Sequence, residues 1–93
     1  MDEEESDEFD RRFQEEKLLN NHLECVKQEA QLITVEGEIN TKLENAMNNK
    51  MTYDMKSYLE TAELIAREKL DMYSDLLHNI EWFKSKYKNT EQR

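Results

Sequence analysis

TYDMKSYLETAELIAREKLDMYSDLLHNIEWFKSKYK, residues 52–88, is the stretch whose spacing decides the fold. Within it Met55, Leu59, Ala62, Ala66, Lys69, Tyr73, Leu76, Ile80, Phe83 and Tyr87 follow one another at alternating steps of 4 and 3. Such steps return each side chain to one face of an α-helix, whereas a half-buried strand would alternate every second residue. Tyr58, Ile65, Met72 and Leu77 widen the stripe beyond what a two-helix seam uses. A helix of roughly 35 residues is about 50 Å long and must lie against a neighbour to be stable.

The upstream half supplies that neighbour. Leu19, Leu23, Val26, Ala30 and Ile33 step by 4, 3, 4 and 3, a heptad seam, and Phe9 and Phe13 extend it towards the N-terminus with Glu16 between. The series then meets Thr34, Val35, Glu36 and Gly37, where β-branched residues and the single glycine weaken a helix. Ile39, Leu43 and Ala46 resume in a shifted register, so a break near residues 34–38 is expected. Asn48-Asn49-Lys50-Met51-Thr52 reads as the loop, with Thr52 as N-cap of the second helix. The expected chain is all-α: an acidic disordered tail over 1–8, a long antiparallel helical hairpin over 9–89 (helices 9–49 and 53–89, loop 48–52), and a frayed end over 90–93. A split at Gly37 gives a three-helix variant. The surplus width of the second stripe points to self-association into a helical bundle.

Composition narrows the function. Ninety-three residues make one small domain, which buries only about two-thirds of its unfolded surface. One glycine and no proline exclude a turn-rich β fold and a phosphate-cradling loop. Residues 1–16 hold nine of the 22 acids and two of the 13 bases, a local net charge of −7 in a chain of −9. An acidic balance does not suit nucleic acid, whose binding runs on clustered Lys and Arg. No apolar run is long enough for a membrane span. A lone Cys25 forms no internal disulfide, which points to a reducing compartment, here the cytoplasm.

Chemistry-bearing clusters are sparse. His22 and Cys25 share a helix face, but a structural zinc needs four ligands. Glu60 with Glu63, and Asp71 with Asp75, have helix-face spacing without any sign of the burial that acid–base work requires. Neither a metal nor a cofactor is expected. Trp82, Phe83, Lys84, Lys86, Tyr87 and Lys88 mix aromatic and basic groups, with Phe83 and Tyr87 on the seam. Lys69 on the seam is the polar residue expected to fix register or partner number.

Tyr53-Asp54-x-x-Ser57-Tyr58, then Glu63, Ile65, Lys69, Leu70, Asp71, Met72, Leu76, Ile80 and Phe83-Lys84, resemble the C-terminal helical region of the kinesin-13 family, the microtubule-depolymerising kinesins. Glu15-Glu16-Lys17-Leu18-Leu19-x-x-His22 resembles the start of the same region, and the intervening stretch, about 35–49, is several residues longer than in the family. The resemblance covers about two-thirds of the chain. It implies a piece of a longer motor protein whose ATPase domain removes tubulin subunits. It also implies homodimer formation, regulation of the motor, and a place on the microtubule cytoskeleton or spindle. No nucleotide-binding loop is present in these residues, so catalysis is not expected of them.

The leading expectation is therefore a non-catalytic dimerisation and regulatory domain of a kinesin-13-like motor. Its candidate interface is Leu19, Leu23, Val26, Ala30 and Ile33 with Met55, Leu59, Ala62, Ala66, Lys69, Tyr73, Leu76, Ile80, Phe83 and Tyr87, in a homodimer, with the motor domain and microtubule-associated proteins as further partners. The alternative is a monomeric helical module that docks on the motor domain or another protein through its acidic N-terminal segment and exposed helix face.

Overall fold

A computed structural model describes residues 3–88, with side chains from Glu8 onward. Two helices, α1 (Glu3–Asn48) and α2 (Met55–Lys86), lie side by side in a rod of 71 × 20 × 17 Å. Asp10 meets Lys86, Asn21 meets Asn79, Cys25 meets Met72 and Glu36 meets Lys69, so numbers rise along one helix as they fall along the other. The fold is an antiparallel all-α hairpin, as the apolar spacing requires.

Two boundaries differ from the expectation. Helix α1 begins at Glu3, not Phe9; carboxylates in a first turn favour the positive end of the helix dipole. It also runs through Gly37 without a break. Thr34 returns its hydroxyl to the Ala30 carbonyl at 3.0 Å, which satisfies it inside the helix. Leu32, Glu36 and Ile39 continue the inner face across the glycine at steps of 4 and 3. A glycine costs a helix about 1 kcal/mol, less than packing along a shared face returns. Residues 90–93 of the expected frayed end lie outside the described residues.

The turn is built from local hydrogen bonds. Lys50 adopts φ 55°, its N–H donates to the Met47 carbonyl at 3.2 Å, and the Met51 N–H donates to the Ala46 carbonyl at 2.8 Å. This is a Schellman motif that ends α1 and satisfies two carbonyls which the helix leaves over. The cap of α2 is Asp54, two residues later than the expected Thr52. Its carboxylate accepts from the Ser57 N–H at 3.1 Å and the Ser57 hydroxyl at 2.6 Å. Those bonds hold the Asp54 carboxyl below its ordinary pKa, the Ser57 hydroxyl first. Lys84 and Lys86 complement the carbonyl end of α2.

The core is one residue thick. Leu18, Cys25, Leu32, Ile39 and Ala46, seven apart, form the inner line of α1; Tyr58, Ile65, Met72 and Ala62, Lys69, Leu76, Phe83 form that of α2. Among the described residues only Cys25, Ile65 and Leu76 are buried, at 4–5% exposure. The accessible surface is 8007 Å², against about 5,700 Å² for a compact monomer of this mass. The radius of gyration is 20.8 Å, against about 12 Å for a compact domain of this length. The hairpin exposes far more surface than a globular chain of its size.

The two backbone misfits predict a stabilising exchange. A Cβ at Gly37 would meet nothing within 4 Å, so Gly37→Ala gains about 1 kcal/mol. Lys50→Gly removes a side chain from the left-handed region and gains a similar amount, about 1 kcal/mol. Urea unfolding followed by circular dichroism at fixed chain concentration should show each midpoint rising, and the two gains adding.

Candidate functional site

The inner face of each helix leaves two flanks, and the contacts between helices sort them. On one flank the Asn79 amide donates to the Asn21 side-chain carbonyl at 3.0 Å. On the other the Tyr73 hydroxyl donates to the Glu29 carboxylate, and the Lys69 ammonium to Glu36 at 2.5 Å. Each residue turns a helix by about 100°. Leu19, Val26 and Ile33 each follow an inner residue of α1 by one, which turns them towards the Glu29 flank. Leu70 and Leu77 likewise follow Lys69 and Leu76 by one, towards the Tyr73 flank. Since Tyr73 meets Glu29, these leucines, Val26 and Ile33 lie on the same side of the hairpin.

That side holds most of the exposed apolar residues, with Glu29 and Glu36 along its inner edge. Leu19, Leu23, Val26 and Ile33 are each at least half exposed, as are Leu59, Leu70 and Leu77, with Ala30, Ala66 and Tyr73 between them. The opposite side carries Gln14, Lys17, Asn21, Glu24, Gln28 and Glu38 from α1, and Glu68, Asp75, Asn79 and Lys86 from α2. Phe13, Val35, Leu64 and Trp82 are large apolar residues exposed on that side, set among these polar groups. The hairpin is thus two-faced in a way that neither helix is by itself.

The expected interface divides accordingly. Leu19, Leu23, Val26, Ala30 and Ile33 all face out, together with Leu59, Ala66 and Tyr73 of α2. Leu76 is buried against α1, and Ala62, Lys69, Ile80, Phe83 and Tyr87 are half-buried in the same seam. Met55 sits exposed beside the turn, near Met51 and Tyr53 in the chain. The α1 series expected to form a seam is therefore the outer stripe. The seam that closes the hairpin lies one residue earlier, through Leu18, Cys25 and Leu32. Leu70 and Leu77 join the outer face; they were legible as a second series of 4 and 3 from Ala66 through Ile80.

The open end of the hairpin is an ionic and hydrogen-bonded clasp. Asp10 accepts from the Tyr87 hydroxyl at 2.9 Å and from the Lys86 ammonium at 3.2 Å. Phe83 and Tyr87 pack with ring centroids 4.7 Å apart, and Lys86 sits 5.0 Å from the Trp82 ring. The Tyr87 hydroxyl, then Lys86, holds the Asp10 carboxyl below its ordinary range. Asp10 in turn raises Lys86, while desolvation and then Asp10 raise Tyr87.

Among the described residues no three His, Cys, Asp or Glu side chains gather to hold a metal ion. His22 is exposed, while the Cys25 thiol is buried 3.9 Å from the Met72 carbonyl. No helix among the described residues is long and apolar enough to cross a membrane. Comparison with protein-family models, with curated proteins and with solved structures finds no match to this chain. Asp54 and Ser57, part of the cluster quoted for the kinesin-13 resemblance, act here as a helix cap.

The clasp predicts a pH response at one end of the molecule. A depressed carboxyl contributes stability above its unfolded value of about 4 and loses it as pH falls through the lower folded value. Raised Tyr and Lys values contribute below about 10 and lose it as pH rises through them. The clasp is therefore closed between those limits and opens outside them. Trp82, the single tryptophan, reports it. Its emission should stay constant through neutral pH and change at both extremes. In Asp10→Asn the neutral emission should already match the value that the wild type reaches only in acid below about pH 4, with far-ultraviolet circular dichroism retained.

Proposed function

We propose that this chain is a non-catalytic homodimerisation domain, working through the apolar side of the hairpin. The observation that carries the reading is the one-sidedness of its exposed apolar residues. Leu19, Leu23, Val26 and Ile33 of α1 and Leu59, Leu70 and Leu77 of α2 share a single face, opposite a largely polar one. The patch runs about 27 Å along α2 from Leu59 to Leu77 and crosses both helices of a rod 20 Å wide. That footprint, on the order of 500 Å², is at the upper end of what soluble monomers leave bare and a little below the about 600 Å² per partner at the low end of stable interfaces. The groove between the helices lined by Leu18, Asn21, Trp82 and Phe83 is open.

The setting is read from the resemblance alone. Tyr53-Asp54-x-x-Ser57-Tyr58 and the residues through Lys84 support a place in the C-terminal region of a kinesin-13-like, microtubule-depolymerising motor, in the cytoplasm on microtubules or the spindle. Pairing two such chains would pair two motors and set how they engage a microtubule end, which is the regulatory part of the proposal.

Light scattering on a sizing column across a concentration series is the test. The expected mass is twice the 11.3 kDa chain. Val26→Glu with Leu70→Glu should return it to the single-chain mass with helicity retained, since both residues face out. Leu76→Asp should instead unfold the hairpin. A wild-type mass of 11.3 kDa at every concentration overturns the reading, and a double variant that stays dimeric moves the interface elsewhere.

A further inference from the structure

Taking the homodimer above as given, we infer that the second copy packs end for end, the turn of one hairpin against the open end of the other. The charge of the two ends argues for this orientation over the side-by-side one, and the position of the apolar patch permits it.

The first is charge. At the open end, residues 3–17 and 81–88 together hold nine acids and six bases, a net of −3. Around the turn, residues 42–60 hold Glu44, Asp54 and Glu60 against Lys42, Lys50 and Lys56, a net of zero. A side-by-side dimer sets −3 against −3 along one end of the bundle. Turning one copy lays the neutral turn with its three lysines beside Glu15 and Glu16, and moves the two acidic ends further apart than the Debye length, about 8 Å at physiological salt.

The second is the position of the patch. Asn21 stands level with Asn79, and Glu36 with Lys69. By that pairing the apolar face begins at Leu19 and ends at Leu59, which stands opposite the stretch just before the turn. Its midpoint is near Ile33, a few residues from the middle of the hairpin. A two-fold axis through that point, perpendicular to the rod, overlays the whole patch on its copy. Leu19 and Leu77 of one chain then meet the Leu59 end of the other, and the central Val26, Ile33, Ala66 and Leu70 pack about the axis. The bundle formed is a four-helix layer with every apolar flank covered.

The two orientations differ most at the turn. Thr52 lies about 30 Å from the proposed axis, counting 1.5 Å per residue. A spin label at Thr52→Cys, with Cys25→Ala to leave one thiol, reads the separation by pulsed dipolar spectroscopy on the dimer. The end-for-end arrangement gives a label distance of about 60 Å; the side-by-side arrangement brings both turns to one end, within about 25 Å. A light-scattering mass of two chains with the long distance supports the inference. A mass of two chains with the short distance overturns the orientation and leaves the dimer standing. A single-chain mass removes both. A second label at Glu15→Cys guards against perturbation of the turn, because it too must read long in the first case and short in the second.

Discussion

A two-helix layer buries one stripe from each helix and no more. Everything else about this chain follows from that limit. The inner lines through Leu18, Cys25 and Leu32, and through Ile65, Met72 and Leu76, consume the single shared face. Any apolar residue beyond them has no place inside one copy of the molecule. With an accessible surface of 8007 Å² and three buried side chains among the described residues, the hairpin holds a core too thin to absorb the remainder. The apolar residues left outside are gathered on one side of the rod and sparse on the other. Scattered leucines would be an ordinary surface, whereas a one-sided collection points to an interface.

The polar contacts across the seam do a different job from the apolar ones. Exposed ion pairs contribute between zero and about 1 kcal/mol, so Asp10–Lys86 adds little to stability. These contacts are specific in position, however. Asp10–Tyr87, Asn21–Asn79, Glu29–Tyr73 and Glu36–Lys69 punctuate the length of the hairpin. Sliding one helix by a heptad leaves the apolar packing nearly intact and breaks all four at once. A uniform apolar seam would tolerate such a slip; this one does not. Lys69 is the clearest case, since it sits on the seam and pairs with Glu36 from the flank.

The sequence pattern of α2 specified its type, length and inner face, because its apolar residues form one broad stripe. The pattern of α1 was harder to read because it carries two interleaved series. Leu19 to Ile33 is the more hydrophobic of them and faces outward; Leu18 to Ala46 contains a cysteine and an alanine and faces α2. Hydrophobicity alone favours the first, and only the partner helix decides for the second. The same cause misplaced the break at Gly37. The outer series does lose register there, whereas the inner one passes through without a step. Asp54 as cap of α2 was legible from Asp-x-x-Ser, but Thr52 offered the same chemistry two residues earlier. The one-sidedness of the outer face was out of reach until the flanks could be sorted by Glu29 with Tyr73 and Asn21 with Asn79.

The hairpin also has a mechanical character. Asp10 and Tyr87 are hydrogen-bonded to each other, so both ends of the hairpin lie on the same side of the clasp, while the Lys50 turn stands at the far tip. Tension applied through the two ends does not shear the helices along their length. It peels them apart, one rung at a time, starting at the clasp and travelling towards Asn21–Asn79. Peeling concentrates the load on a single contact, so a modest pull opens the first turns while the turn-side half stays zipped. Such an element acts as a side arm of fixed reach at rest and as a compliant, progressively extending link under load.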